Sequence, residues 1–166
     1  IIFGSSILKE NIIQTLGNIP KINLHLGLTP YFRGSGCNFW PLYLNKPEFI
    51  GASIIELDSG IDTGDLIHQF NEVFTSTDTV HTIGNRVVEK SIIIIGEIIQ
   101  GLIKLNKYKT FPQKKINEGL VFKNLDFKKD SLKKYYDNLA SGSLLIPKDR
   151  YDLIRKNLVR LSWIKN

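Results

Sequence analysis

Ile-Asn-Leu-His-Leu-Gly-Leu-Thr-Pro-Tyr-Phe-Arg-Gly (22–34) opens a stretch that closes, at 57–65, on Leu-Asp-Ser-Gly-Ile-Asp-Thr-Gly-Asp. The residues from Ile22 to Leu26 are apolar except for Asn23 and His25, two positions apart. Alternate side chains of a strand share a face, so the amide and the imidazole point the same way. The closing loop is short, punctuated by glycine, and carries three carboxylates, Asp58, Asp62 and Asp65. An amide, an imidazole and a carboxylate gathered in one place can run acid–base chemistry on a carbonyl.

The flanking segments read as strands and helices with short joints. Residues 1–3 read as a buried apolar strand, broken by Gly4-Ser5-Ser6. Leu8, Ile12, Ile13 and Leu16 fall on one face of a short helix ended by Gly17-Asn18. With residues 22–26 this is strand, helix, strand, the grammar of a parallel sheet. Residues 29–36 form a turn-rich loop. Asn38 is a candidate cap for a helix over 39–44, with Pro41 in its first turn, where a missing N–H costs nothing. Residues 52–57 and 66–74 alternate as strands, so the aspartate loop joins two of them. In that second strand His68 faces away from Ile67 and is expected to be exposed.

Ser76-Thr77-Asp78 offers caps for a long helix with Val80, Ile83, Val87, Ile94, Ile98 and Leu102 near one face, ending at about Leu105. Residues 107–115 are basic and irregular. Residues 130–139 predict a helix with Leu132, Tyr135, Tyr136 and Leu139 on one face and Gly142 as its stop. The tail from Arg150 to Asn166 predicts one more. No internal repeat or low-complexity segment is visible.

The chain has 166 residues, 42% of them apolar and 23% charged. That describes one globular domain, or one with a small appendage. No apolar run approaches the roughly 18 residues of a membrane span. The single Cys37 excludes an intrachain disulfide, and no signal peptide is visible, so a cytoplasmic setting is expected. The net charge of +6 hints at anionic partners, but lysine also serves as the solubilising residue of an Ile-, Lys- and Asn-rich chain. The chain contains no Met and begins within an apolar segment, and it reads as part of a longer protein.

Three pieces in register resemble the catalytic domain of the 10-formyltetrahydrofolate-dependent formyltransferases. They are Phe3-Gly4-Ser5-Ser6-Ile7-Leu8; then Asn23-Leu24-His25 with Leu28-Thr29-Pro30-Tyr31-Phe32-Arg33-Gly34; then Asp58-Ser59-Gly60-Ile61-Asp62-Thr63-Gly64-Asp65-Leu66-Ile67, with Gln69 closing the strand. The resemblance implies an α/β fold, a Rossmann-like formyltransferase domain with a mostly parallel sheet flanked by helices. Residues 1–105 would be its C-terminal half, lacking the first strands and their phosphate loop. Residues 106–166 would be a small, partly helical extension. One departure is Leu26-Gly27-Leu28-Thr29-Pro30, where the family usually has Pro-Ser-Leu-Leu-Pro after the His; it touches the contour of the formyl pocket.

The resemblance implies transfer of a formyl group from N10-formyltetrahydrofolate to an amine through a tetrahedral intermediate. Asn23 would donate to the oxyanion, and His25 would supply a positive charge or a proton, its charged form favoured by a neighbouring carboxylate. Asp62 would orient His25 and shuttle the amine proton, leaving Asp58 and Asp65 to structure the loop. The folate would lie between Ser5, Ser6, Ile7 and Leu8 on one side and Ile55, Glu56, Leu57, Asp58 and Ile61 on the other, with Leu8, Leu57 and Ile61 as apolar walls. Tyr31 and Arg33 would face the acceptor, although Arg33 also reads as a cap of its own loop, the reading slightly favoured. Phe39 and Trp40 read as core and Cys37 as a buried, inert thiol. An EF-hand is excluded, because Gly60 and Thr63 stand where a ligand and the invariant glycine belong. No metal site is expected, since His68 and His81 lack partners at ligand spacing.

For the acceptor, the Arg33-Gly34-Ser35-Gly36-Cys37-Asn38-Phe39-Trp40 segment resembles enzymes that formylate nucleotide-linked amino sugars, such as a dTDP-4-amino-4,6-dideoxyhexose, for surface polysaccharides. The expected partners are therefore small molecules, with no membrane or nucleic acid, and a homodimer is left open. Methionyl-tRNA, another amine, or water (a hydrolase) are the alternatives within the enzyme class. A non-catalytic basic module, using Lys123, Lys128, Lys129, Lys133 and Lys134, is the alternative outside it.

Overall fold

A computed structural model describes residues 1–105, 108–117 and 119–164. Four strands make the main sheet in the order β1 (Ile2–Phe3), β2 (Ile22–His25), β4 (Gly51–Glu56), β5 (Leu66–Asn71). A separate pair joins β3 (Phe32–Gly34) to β6 (Leu120–Phe122). Helix α1 (Glu10–Thr15) links β1 to β2, and their pairing is parallel, as that connection requires. The β2–β4 and β4–β5 pairs are antiparallel. The sheet is thus mixed, and the expected parallel pairing holds at β1–β2; the separate β3–β6 pair, also parallel, was not expected.

Strands β4 and β5 are buried almost throughout, which accounts for the run Ala-Ser-Ile-Ile (52–55) with polar side chains only where they find partners. Ser53 and Gln69 are two of those, described with the site. Helix α3 (Val80–Leu105) buries Ile83, Val87, Ser91, Ile94 and Ile98 against the sheet, the stripe its spacing predicts. Its N-terminus is capped by Thr79 rather than by the 76–78 segment. The Thr79 N–H donates to Thr82 Oγ1 (2.8 Å) and the Thr82 N–H to Thr79 Oγ1 (3.3 Å), while Tyr135 Oη accepts from the Val80 N–H at 2.9 Å. Asp78 instead pairs with Arg86, whose Nη1 and Nη2 lie 2.9 Å from its two oxygens.

Several expectations need correction. Strand β1 is not buried: Phe3 is 54% exposed, because the strand lies at the sheet edge and pairs with β2 alone among the described strands. Asn38 does not cap α2 (Trp40–Tyr43); its Oδ1 accepts the Gly51 N–H at 3.2 Å and ties the helix entry to β4. Pro41 does stand in the first turn. The face of α4 (Lys129–Ala140) is turned from the expected one: Ser131 and Tyr135 are buried while Leu132 and Tyr136 are exposed. Asn138 fixes that rotation by donating to the carbonyls of Leu42 and Tyr43. Of the tail, only α5 (Lys148–Lys156) is helical, and 165–166 lie outside the described residues.

His68, expected to be exposed, is fully buried. Beyond α5 the chain crosses β5, where Val159 exchanges hydrogen bonds with Gln69, and the Leu161 N–H donates to His68 Nδ1 at 3.2 Å. The buried cluster is continuous across residue 105: Tyr135, Leu144, Tyr151, Leu161 and Ile164 pack with Ile54, Ile67 and Ile83. Phe39 and Trp40 belong to it, and Phe122 of β6 stacks on Trp40 at 4.3 Å between centroids and 8° between planes. Such a pair adds about 0.5–1.5 kcal/mol beyond its buried area.

Candidate active site

Asn23 and His25 leave the same face of β2, and both reach Asp62. Asn23 Nδ2 donates to Asp62 Oδ1 at 3.2 Å, and His25 Nδ1 lies 3.3 Å from Asp62 Oδ2. The backbone N–H of Gly34 donates to the same Oδ2 at 2.8 Å. Asp62 meets them because its turn is left-handed, with φ at +52°, a conformation that aspartate tolerates better than most residues with a Cβ. Asp58 shapes the start of the loop, accepting from the Gly60 N–H and from Thr63 Oγ1 at 2.6 Å.

Gly34 is the residue this contact requires. Its φ is +87°, and a Cβ there would stand 2.1 Å from the Phe122 carbonyl oxygen, inside the β3–β6 pair. Gly27 is needed for a different reason: a Cβ there would come within 2.5 Å of both His25 Nε2 and Cys37 Cβ. The loop that carries Gly27 is fastened by buried polar groups. Ser53 Oγ donates to the Gly27 carbonyl and accepts from the Thr29 N–H, and Gln69 Nε2 donates to the Thr29 carbonyl at 2.7 Å and to Ser53 Oγ.

His25 is buried, and its other ring nitrogen, Nε2, stands 3.0 Å from the Phe32 carbonyl oxygen. Burial pulls its pKa below the ordinary imidazole value; the Asp62 carboxylate and the Phe32 carbonyl act in the opposite sense and do not prevail. The carboxylate does favour the charged ring, as expected, but desolvation outweighs it. Cys37 is buried and free behind this centre. Burial raises its pKa, and the nearby Asp62 charge raises it further, in keeping with an inert thiol.

The three side chains open onto a cleft of 840 Å³. Ser5, Ser6, Ile7 and Leu8 line one side; Leu57, Asp58 and Ile61 line another. Ile55 and Glu56 are not on its wall. Ile55 is buried within the β2–β4–β5 ladder, and Glu56 faces a second cleft with Lys21 and Tyr108. Tyr31 and Arg33 also lie off the cleft wall; Tyr31 packs on Phe49 at 5.0 Å between ring centroids. The far side carries Asn85, which sequence reasoning did not single out, and His81 and Lys123, which it had not connected with this cleft. The amide of Gly34 was hidden in a residue without a side chain, and only the glycine itself signalled it. Among the described residues no group of His, Cys, Asp and Glu is arranged to hold a metal, and no helix is long and apolar enough to cross a membrane.

The formyl transferase family profile matches residues 4–99, more than half of the chain, and the chain belongs to that family. Among curated relatives, the methionyl-tRNA formyltransferase of Methylacidiphilum infernorum is 29% identical over 107 residues, 64% of this chain and 32% of the relative. That of Caldanaerobacter subterraneus is 28% identical over 116 residues, 70% and 36% of the two chains. The chain thus spans about a third of the length of these relatives. Among solved structures, it is similar to the formyltransferase PseJ of Anoxybacillus kamchatkensis, in complex with UDP-4,6-dideoxy-4-formamido-L-AltNAc and tetrahydrofolate. That likeness has a TM-score of 0.63 at 27% identity and covers 90% of this chain and 73% of the other. The Helicobacter canadensis N-formyltransferase, in complex with folinic acid and dTDP-3-aminofucose, shares the fold at 23% identity and TM-score 0.61, over 78% of this chain and 48% of the other.

Proposed function

We propose that this chain carries the reaction centre of an enzyme that moves a formyl group from N10-formyltetrahydrofolate to the amino group of a nucleotide-linked amino sugar. The observation that carries the reading is the convergence on one carboxylate: Asn23, His25 and the Gly34 amide all reach Asp62 at the edge of an 840 Å³ cleft. That volume lies within the roughly 300–1,000 Å³ of small-molecule sites. Its wall combines apolar Leu8, Leu57 and Ile61 with the backbone of the Asp58 loop, which suits a flat heterocycle with a hydrogen-bonding edge. Ser5, Ser6, Ile7 and Asp58 would complete the donor's seat.

The folate supplies the formyl group; the remaining work belongs to the chain. One amide N–H of Asn23 is engaged by Asp62, which leaves the second for the carbonyl oxygen that gains negative charge as the amine adds. The Asp62 carboxylate takes the proton that the amine gives up and passes it to Nδ1 of His25, a ring that burial favours in its neutral form. The Asp62 carboxylate at Nδ1 and the Phe32 carbonyl at Nε2 stabilise the resulting cation, and the proton then returns to the departing nitrogen. Asp62 also fixes both Asn23 and His25 in place.

The likeness to PseJ extends over 90% of this chain, including much of the segment after residue 105, and supports a sugar acceptor. Methionyl-tRNA remains the second reading, because the sequence relatives are methionyl-tRNA formyltransferases. Under the first reading the enzyme works in the cytoplasm and its product enters polysaccharide synthesis. The test supplies N10-formyltetrahydrofolate with a UDP- or dTDP-linked amino sugar, with methionyl-tRNA, or with neither, and follows the products by mass. A formamido sugar is expected. Formyl transfer to the tRNA alone, or free formate without an acceptor, would overturn the acceptor assignment. Steeply salt-dependent nucleic-acid binding without turnover would overturn the catalytic one.

A further inference from the structure

Asp62 sits in the left-handed region, where a residue with a side chain stays only if its surroundings fix it. Two of those fixings come from one side chain outside the family match. Gln113 Nε2 donates to the Asp62 carbonyl at 2.8 Å and to the Gly64 carbonyl at 2.8 Å. A carboxamide has two N–H groups, and both are spent here on the carbonyls that flank Thr63. Gln113 is itself located by Phe111, which exchanges both backbone hydrogen bonds with Leu66, at 2.7 and 2.9 Å.

The same segment grips the carboxylate end of Asp62. Strand β6 pairs with β3, and the Ser35 N–H donates to the Phe122 carbonyl at 2.8 Å. That holds the turn whose Gly34 N–H donates to Asp62 Oδ2. Residues 111–113 and 120–122 therefore clamp the backbone of Asp62 through Gln113 and its carboxylate through Gly34.

We propose that Gln113 is a positioning residue for Asp62, setting the 3.3 Å approach of its Oδ2 to His25 Nδ1 from outside the cleft. The proposal rests on the reading of Asn23, His25 and Asp62 as the formyl-transfer centre. Gln113 is absent from the cleft wall, so its influence passes through Asp62 and not through substrate.

The test uses Gln113→Ala and, because it keeps length and bulk, Gln113→Glu, which at neutral pH turns oxygens towards the two carbonyls. For each variant kcat and KM are measured for the folate donor and the amino sugar, and the His25 imidazole is titrated by NMR. The expected result is a kcat lowered by about 10-fold or more, up to the roughly 100-fold that a 1 Å misplacement costs. Each KM should stay within about two-fold, since the cleft wall is untouched. The His25 titration should move in the direction expected for Asp62→Asn, and Gln113→Ala should add little on top of Asp62→Asn. Wild-type kcat together with an unmoved His25 titration in both variants would overturn the proposal, whatever happens to the melting temperature. A wild type that formylates neither acceptor while the His25 titration still moves would instead sink the functional reading and leave the positioning role standing.

Discussion

The backbone N–H of Gly34 donates to Oδ2 of Asp62 at 2.8 Å, joining the end of β3 to a loop 28 residues further on. An ordinary residue at 34 could not make this contact. A Cβ there would strike the Phe122 carbonyl oxygen at 2.1 Å, and φ is +87°. Gly34→Ala is therefore expected to displace the amide and lower kcat by roughly 100-fold, the cost of about 1 Å at a reaction centre. Steady-state kinetics with circular dichroism as a folding control checks this. A folded Gly34→Ala protein with wild-type kcat would contradict the role given to the Gly34 amide.

The pH profile follows from the sign of the His25 shift. Burial favours the neutral ring, so the folded pKa lies below the ordinary value of 6.5. The acid limb of kcat/KM should therefore fall below pH 6.5. Asp62→Asn removes a group that raises this pKa, so the imidazole should titrate lower still in that variant. Stability moves in the same sense: below about pH 6.5 the unfolded chain binds the proton first, so folding weakens as pH falls towards the folded pKa. NMR titration of the ring checks the first two statements; a His25 pKa above 6.5 would refute them.

A second pH effect is set at Asp78, just ahead of α3. Burial raises the Asp78 pKa, but hydrogen bonds from Arg86, Thr75 and Thr82 outweigh it and hold the carboxyl at about 2, against an ordinary 3.8. A depressed carboxyl stabilises the fold above its unfolded pKa and loses that contribution as pH falls through the folded one. About 2 kcal/mol should disappear between roughly pH 4 and pH 2. Urea denaturation across that window should show the loss in the wild type and a flatter dependence in Asp78→Asn.

How much of this was readable beforehand depended on how local the cause was. The limits of α3 match the expectation because Ile83, Val87, Ile94 and Ile98 repeat at helical spacing within one segment. The meeting of Asn23, His25 and Asp62 followed from strand alternation and three motif pieces in register. The pairs that escaped are remote ones. Phe32 aligns with Leu120 across the β3–β6 pair, in strands of three residues too short to show a period. His68 looked exposed because alternation assumes one wet face, whereas Val159 and Leu161 return to cover β5. Gln113 sits in a basic, irregular stretch where nothing local distinguishes it from a solvated side chain.

Gln69 is where the C-terminal segment meets the loop of Gly27 and Thr29. Its amide donates to the Thr29 carbonyl and Ser53 Oγ, and its Oε1 accepts the Val159 N–H at 3.3 Å. Gln69→Leu keeps the volume but leaves the Thr29 carbonyl and the Val159 N–H unpaired, each at a cost of about 1–3 kcal/mol. A loss of about 2–4 kcal/mol in urea denaturation is expected. A loss below about 1 kcal/mol would mean that the network contributes little to the fold.

The most direct measurement compares the wild-type protein with Asp62→Asn in formylation of a nucleotide-linked amino sugar by N10-formyltetrahydrofolate, with the formamido product read by mass spectrometry. The wild type should make that product. Asp62→Asn, which keeps the shape of the residue and removes its charge, should be slower by about 10²–10³-fold, the scale set by loss of a group that stabilises developing charge. Full activity in a folded Asp62→Asn protein would contradict the assignment of Asp62 as the centre on which Asn23 and His25 converge.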